Sequence, residues 1–219
     1  DAIIVVGGVI DRIAVDEEYV EQLNHILEST PIIATNRPVG VRNCKIHLDE
    51  GGSMDMAMDY LFSLGHEKIA TIGGRKDAKS TLEKRMRYRT MLRQRGIVYR
   101  EDYVFDSIDY SNDSGYNCTK ELLKNPDRPT AIVAINDFTA AGVLRAIHDE
   151  GLRVPQDISV VAFDNTYLSG ALTPALTSVG ANYTEFAKHL VEAAIREDYM
   201  VPVGISVRDS CTHVPEENL

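Results

Sequence analysis

Short apolar runs alternate with longer stretches of helical periodicity along almost all of this 219-residue chain. The runs that read as strands are Ile3–Val6, Ile32–Ala34, Lys45–Leu48, Lys68–Ile72, Thr130–Ile135, Ile158–Phe163 and Thr177–Val179. Between them the spacing predicts helices over Val15–Glu28, Gly52–Leu64, Thr81–Arg95, Ser114–Lys124, Phe138–Glu150 and Tyr183–Asp198. The last carries Phe186, Ala187, Leu190, Val191, Ala194 and Ile195 as an i, i+3, i+4 stripe. Gly65, Gly96 and Gly151 each follow a helical stretch, where glycine takes the left-handed stop conformation without a Cβ penalty. Strand alternating with helix through short loops predicts parallel sheets covered by helices, because parallel neighbours need crossovers. The strands are continuously apolar rather than alternating, as burial on both faces requires. No solenoid-period repeat, low-complexity tract or long linker interrupts the pattern, which leaves one α/β body or two lobes joined by short crossings.

Composition narrows this picture. A hydrophobic content of 44% is enough for a substantial core, and no run approaches the roughly 18 apolar residues of a membrane span. The opening DAIIVVGG lacks the basic start and cleavage site of a signal peptide and reads as a buried strand without a lead-in. A soluble chain is expected, with an N-terminal portion missing from it. The balance of 33 acidic against 23 basic residues, formally -10, makes these residues a poor holder of a phosphate backbone. The densest basic cluster, Lys79 to Arg95, reads as a solvated helix face. Cys44, Cys118 and Cys211 are far apart with no CxxC, so neither a disulfide scaffold nor a zinc cluster is expected, and a reducing cytoplasm fits.

In open α/β sheets ligands sit outside the carboxyl ends of the strands, so the residues there carry the functional question. One strand ends in Asn36-Arg37-Pro38, another in Asn136-Asp137, a third in Asp164-Asn165. Asn and Asp are preferred helix N-caps, and each pair taken alone reads as a cap at least as well as a ligand contact. As a set they converge on one crevice, where carboxylate and amide groups suit a polyhydroxylated ligand. Tyr110, ahead of a predicted helix, is either a loop tyrosine packed under its neighbours or an apolar floor for a sugar ring. There is no GxSxG, HExxH, GxxxxGK[ST] or helix-opening GxGxxG, and no histidine pair at metal-ligand spacing. Catalysis, a cofactor and a metal are therefore not expected. The glycine pairs Gly7-Gly8, Gly51-Gly52 and Gly73-Gly74 read as turns at strand ends or helix starts.

The stretch AINDFTAAGVLRAIHDEGLRVPQDISVVAFDN, Ala134 to Asn165, resembles the signature of the lac/gal repressor family of bacterial transcription regulators. YLFSLGHEKIATIGG at Tyr60–Gly74, LTPALTSV at Leu172–Val179 and ISVRDSC at Ile205–Cys211 extend the likeness over nearly the whole chain. The resemblance implies an α/β, periplasmic-binding-protein-like fold, two parallel-sheet lobes joined by three crossings with an effector between them. It places residues 1–46 and the helix 180–203 in an incomplete N-terminal lobe, and 47–179 with the terminal strand 204–219 in the C-terminal lobe. The crossings then fall near Ile46–His47, Val179–Ala181 and Val203–Gly204. In relatives about two further βα units and a DNA-binding headpiece precede the stretch matched by DAIIVVGG.

The implied function is the effector-binding core of a ligand-responsive, DNA-binding transcriptional regulator, a repressor that acts as a cytoplasmic homodimer. Its implied partners are a carbohydrate-like small molecule and operator DNA, the latter through a headpiece outside this sequence. The alternative is a periplasmic sugar-binding component of a transporter. Residue by residue, the resemblance implies effector contacts from Asp164, Asn136 and Tyr110, and from Asn36 where many relatives have Asp. A family arginine that precedes a Gly-aromatic pair aligns with Lys84, in Lys84-Arg85-Met86-Arg87-Tyr88, and Arg85 is the neighbour able to serve instead. Lysine lacks the planar fork that grips two oxygens, so the resemblance leaves the identity of the effector open. DISVVAFDN then reads as a buried strand that carries Asp164 to the crevice rim, with Asn165 capping the segment after it.

Overall fold

Side chains alternate between the two faces of a strand, so a strand apolar at every position has to find a core on each side. The computed structural model, which describes residues 2–34, 39–41, 47–193 and 200–215, has such an arrangement at its centre. Strands β4 (Ile69–Ile72), β5 (Val104–Phe105), β6 (Ala131–Ala134), β7 (Ser159–Phe163), β8 (Thr177–Gly180) and β10 (Gly204–Ser206) form one sheet in the order β10-β8-β7-β6-β4-β5. All neighbours are parallel except β10, which runs antiparallel to β8 with Ile205 opposite Val179. Ala70, Ile72, Ile132, Ala134, Val160 and Ala162 face helices α4 (Asn112–Leu122) and α5 (Asp137–Asp149). Ile69, Ala131, Val133, Val161 and Phe163 face α2 (Glu50–Ser63) and α3 (Lys79–Gln94).

A second, smaller parallel pair joins β1 (Ile3–Val5) to β2 (Ile32–Ala34), with α1 (Glu17–Leu27) packed over it through Leu23 and Leu27. β3 (His47–Leu48) pairs in parallel with β9 (Met200–Val201). After β8 the chain leaves the large sheet and enters α7 (Tyr183–Ala193). A short helix, α6 (Tyr167–Ala171), links β7 to β8.

Local chemistry explains most element boundaries. Asp16, Asp49, Ser111 and Asn136 each accept a hydrogen bond from a backbone N–H of the first turn of α1, α2, α4 and α5. α3 is different: its own N-cap, Ala78, has no side-chain oxygen, and the first turn is capped across the fold by Asp11. That is why this helix starts at Lys79, two residues earlier than the sequence pattern suggests. Gly65, Gly96 and Gly151 take positive φ just after α2, α3 and α5, as expected.

Glycine plays another part between α4 and α5. A Cβ on Gly142 would stand 1.9 Å from the Asn112 carbonyl oxygen, and one on Gly115 would stand 2.2 Å from that of Thr139. The two helices meet backbone to backbone. The pair positions the loops that carry Tyr110 and Asn136, whose chain ends open onto the same side of the sheet.

Three expectations need correcting here. The basic stretch from Lys79 to Arg95 is not uniformly solvated: Lys84 and Tyr88 are buried, Arg85 is nearly so, and Arg87, Arg89 and Arg95 form the outer face. The short strands β5 and β9 were absent from the sequence pattern, and the terminal strand covers Gly204–Ser206 rather than 204–219. Asn165 does not cap the helix after it. Its side chain donates to Ser206 Oγ at 2.9 Å and accepts from Arg208 Nη2 at 2.8 Å, so it ties the end of β7 to the C-terminal segment.

Candidate functional site

β6 ends at Ala134, and two residues later Asn136 opens α5, its Oδ1 accepting from Thr139 N at 2.7 Å. The side-chain amide nitrogen makes no hydrogen bond among the described residues. Capping and an open amide nitrogen at the cleft, which the sequence left as alternatives, are compatible in one residue because they use different ends of the amide. Tyr110 is held beside it: the Tyr110 backbone oxygen accepts from Thr139 Oγ1 at 3.2 Å.

Asp164 follows β7 in an uncommon conformation, with φ 91, and Asn165 continues it with φ 50. Non-glycine residues in the left-handed region cost of order 1–3 kcal/mol each and persist only where their surroundings over-determine them. The surroundings here do so. Asp164 N donates to Val179 O at 2.9 Å and Asn165 N to Ser178 Oγ at 2.9 Å, while the Asn165 side chain is held at both ends. Across the turn lies Gly180, where a Cβ would stand 2.4 Å from the Asp164 carbonyl oxygen.

Next to this turn, Asp137 is a buried carboxylate fully engaged by its own fold. It accepts from Thr166 N at 2.6 Å, Thr166 Oγ1 at 2.7 Å and Ser178 Oγ at 2.6 Å. The Asp164 carboxylate, by contrast, makes no hydrogen bond among the described residues. It stays open to solvent, yet the walls around it crowd out enough water to push its carboxyl up to about 6; Lys84 pulls it back down, while Asp137 and Glu50 push it further up.

The turn delivers Asp164 into a cleft of about 370 Å³, shared with Asn136, Tyr110 and Lys84. Val6, Gly7 and Gly8, at the end of β1, form the facing wall, so the carboxyl ends of strands from both sheets border it. Tyr183 and Phe186 from α7 also line it. A recess of about 80 Å³ continues from it past Glu50, Lys84, Phe163 and Asp164. Lys84 is 6% exposed, donates to Glu50 Oε2, and sits 4.8 Å from the centroid of the Phe163 ring. On the rim Asp11 accepts from Ser80 N at 3.1 Å and Ser80 Oγ at 2.7 Å, beside a backbone bond from Ile13 N to Asp77 O at 2.8 Å.

Four of the six expected site residues, Asp164, Asn136, Tyr110 and Lys84, thus share one cleft. Arg85 does not. Its Nη2 donates to Gly73 O and Phe105 O at 2.9 Å each and faces Asp106, so it fastens α3 to the ends of β4 and β5. Burial pulls its guanidinium pKa down, with Asp106 opposing. Asn36 lies outside the described residues.

Sequence reasoning missed Glu50, Asp11, Tyr183 and Phe186. Applied to Thr177–Val179 as well, the strand-end rule would have led to Tyr183, three residues past β8. Phe186 was assigned to the apolar stripe of its helix, and nothing local marks Glu50 or Asp11 as cleft residues. The groups present can accept from hydroxyl or ammonium donors and donate through an amide and phenols. Among the described residues no group of three or more His, Cys, Asp or Glu is placed to hold a metal ion, and no helix is long and apolar enough to cross a membrane.

Residues 58–208 match the model of the periplasmic binding protein-like domain. Catabolite control protein A of Priestia megaterium is 33% identical over 170 residues, 75% of this chain and 49% of that protein. Among solved structures, a sugar-binding transcriptional regulator of the LacI family from Escherichia coli, complexed with phosphate, superposes with a TM-score of 0.82 at 25% identity, covering 97% of this chain and 77% of the other. The transcriptional regulator CelR in complex with cellobiose gives a TM-score of 0.79 at 28% identity, over 96% of this chain and 65% of the other. The chain spans about half the length of the curated relatives it matches.

Proposed function

This chain belongs to the periplasmic binding protein-like family, in its lac/gal repressor branch, and from that premise we propose that it is the effector-binding core of a ligand-responsive bacterial transcriptional repressor. The observation that carries the reading is the Asp164 carboxylate. It is held in a strained turn with no hydrogen bond among the described residues, in one cleft with the Asn136 amide and the Tyr110 ring. A fold that maintains a costly conformation to present an unengaged acceptor is arranged for a ligand.

The effector is a small polyhydroxylated molecule, a sugar or sugar derivative. Asp164 accepts from its hydroxyls, Asn136 donates to it, Tyr110 supplies an apolar floor and Lys84 lines the inner end. The proposed division puts 1–46 and 180–203 in one lobe and 47–179 and 204–219 in the other, with the cleft between them. A ligand that binds one relative orientation of the lobes more tightly shifts the population towards it, and only that difference in affinity does so. In a two-fold dimer such a shift changes the separation of two DNA-reading segments, and operator half-site spacing is geometrically strict. Those segments lie outside the 219 residues. The reading makes the protein a cytoplasmic binding protein rather than an enzyme. The named relatives are regulators, which favours it over a transporter's sugar-binding component.

Isothermal titration calorimetry with a panel of neutral monosaccharides and disaccharides tests this. Binding by the wild-type protein and its loss in Asp164→Ala is the expected result, and equal affinity for the variant removes Asp164 from the site.

A further inference from the structure

Charge in the cleft is lopsided. Its lining among the described residues carries three carboxylates, Asp11, Glu50 and Asp164, against one cation, Lys84. These charges are not equally available. Lys84 is buried and its ammonium bonded to Glu50, so that pair answers its own charge. Asp11 has both carboxylate oxygens on Ser80. Asp164 is the carboxylate left facing the cleft without a hydrogen bond.

An incoming carboxylate or phosphate would meet the Asp164 carboxylate with no uncommitted cation among the described lining residues to offset it, and like charges this near are strongly unfavourable once water is displaced. An ammonium would meet the opposite situation. Asp164 offers it a charge-assisted hydrogen bond, and the rings of Tyr110, Tyr183 and Phe186 line the same cleft, where aromatic faces attract cations.

Resting on the reading of this cleft as the effector site, we propose that the effector carries no negative charge and that an amine-bearing sugar, its ammonium on Asp164, binds in preference to its neutral and anionic congeners. The sign of charge on the effector is thereby set by the Lys84–Glu50 pair, which removes the cation that would otherwise hold an acid group.

Calorimetry at about pH 7.0, where a carboxylate is ionised and a sugar amine, which titrates in the α-amino range, is largely charged, tests the proposal. The probes are matched sets in the gluco, galacto and manno configurations: the neutral hexose, its 2-amino-2-deoxy derivative, its uronate and its 6-phosphate. In the configuration that binds best, the amino sugar is expected to bind about tenfold or more tighter than the uronate, a difference of about 1.4 kcal/mol, and tighter than the hexose. Asp164→Asn should abolish the gain from the amine. Glu50→Gln, which frees the Lys84 ammonium, should raise uronate affinity above that of the wild-type protein. A uronate or phosphate that binds the wild-type protein more tightly than its neutral congener overturns the charge preference and leaves the sugar-effector reading standing. So does a neutral hexose that matches the amino sugar. Failure of every probe to bind sinks the sugar reading itself and this inference with it.

Discussion

Asp164 illustrates how a carboxylate held in a cleft acts against the stability of its own fold. Its carboxyl is raised from 3.8 to about 6 by the crowding of the cleft walls. Between those two values the folded chain takes up the proton before the unfolded chain does. Stability therefore falls as pH rises through that window, and the ionised group opposes folding above it. Asp164→Asn keeps the shape and removes the charge. It is expected to raise the melting temperature by about 2 °C or more at pH ~7.5 and to give no gain near pH ~5, where wild-type Asp164 is largely protonated. Differential scanning fluorimetry at the two pH values checks this. A gain of equal size at both would show that the charge is not the cause. The strand-end rule pointed to Asp164 and Asn136 from the sequence. The family resemblance left Lys84 and Arg85 as alternatives, because adjacent residues on an α-helix point about 100° apart and only the packing of α3 determines which one meets the cleft. The packing chose Lys84, and Arg85 became a clamp on two strand ends.

Helices α4 and α5 show how an element depends on what lies against it. Gly142→Ala would drive a methyl group into the Asn112 carbonyl, and overpacking against backbone costs about 1–3 kcal/mol. A corresponding drop in the urea midpoint is expected, together with weakened ligand binding, since the same helices carry Tyr110 and Asn136. An unchanged midpoint would mean that the helices can separate at no cost.

His66 does comparable work at the other end of the sheet. Buried between β6, β7 and the C-terminal segment, it pairs Nδ1 with Thr130 Oγ1 at 2.9 Å and donates from Nε2 to Thr212 O at 2.9 Å. Burial holds its pKa below the usual 6.5, against the pull of the Thr212 carbonyl. The folded state thus resists protonation: the stability that this histidine contributes is complete above 6.5 and declines as pH falls below it. His66→Ala, which removes a buried ring and its bonds to Thr130 Oγ1, Ser159 Oγ and Thr212 O, should cost about 1–3 kcal/mol at neutral pH. It should also flatten the pH dependence of the urea midpoint below about pH 6.5. A variant with the same pH slope as the wild type would place that dependence elsewhere. The sequence excluded His66 from a metal motif, and its structural partners, 64 to 146 residues away, could not be read from it.

The whole chain carries a formal charge of -10, and among the described residues most basic side chains are paired with carboxylates. Binding to duplex DNA depends on releasing counterions through a basic face. These 219 residues are therefore expected to give no shift of duplex DNA in a gel assay at about 0.1 M salt, with or without sugar. A shift would place DNA contacts inside the effector core and contradict the proposed division of labour.

The class of nearly every long element follows from periodicity alone, because burial on one face of a helix or both faces of a strand is written into the residues themselves. β5 and β9, two residues each, carry too few positions for any period to register, and they exist because a neighbouring strand offers hydrogen bonds. The same limit applied to the cleft. Which residue types stand at strand ends is local, whereas Glu50 reaching Lys84 and Asp11 reaching Ser80 join residues 34 and 69 positions apart. Such meetings depend on how the sheets and helices approach one another, a property no single stretch of sequence contains.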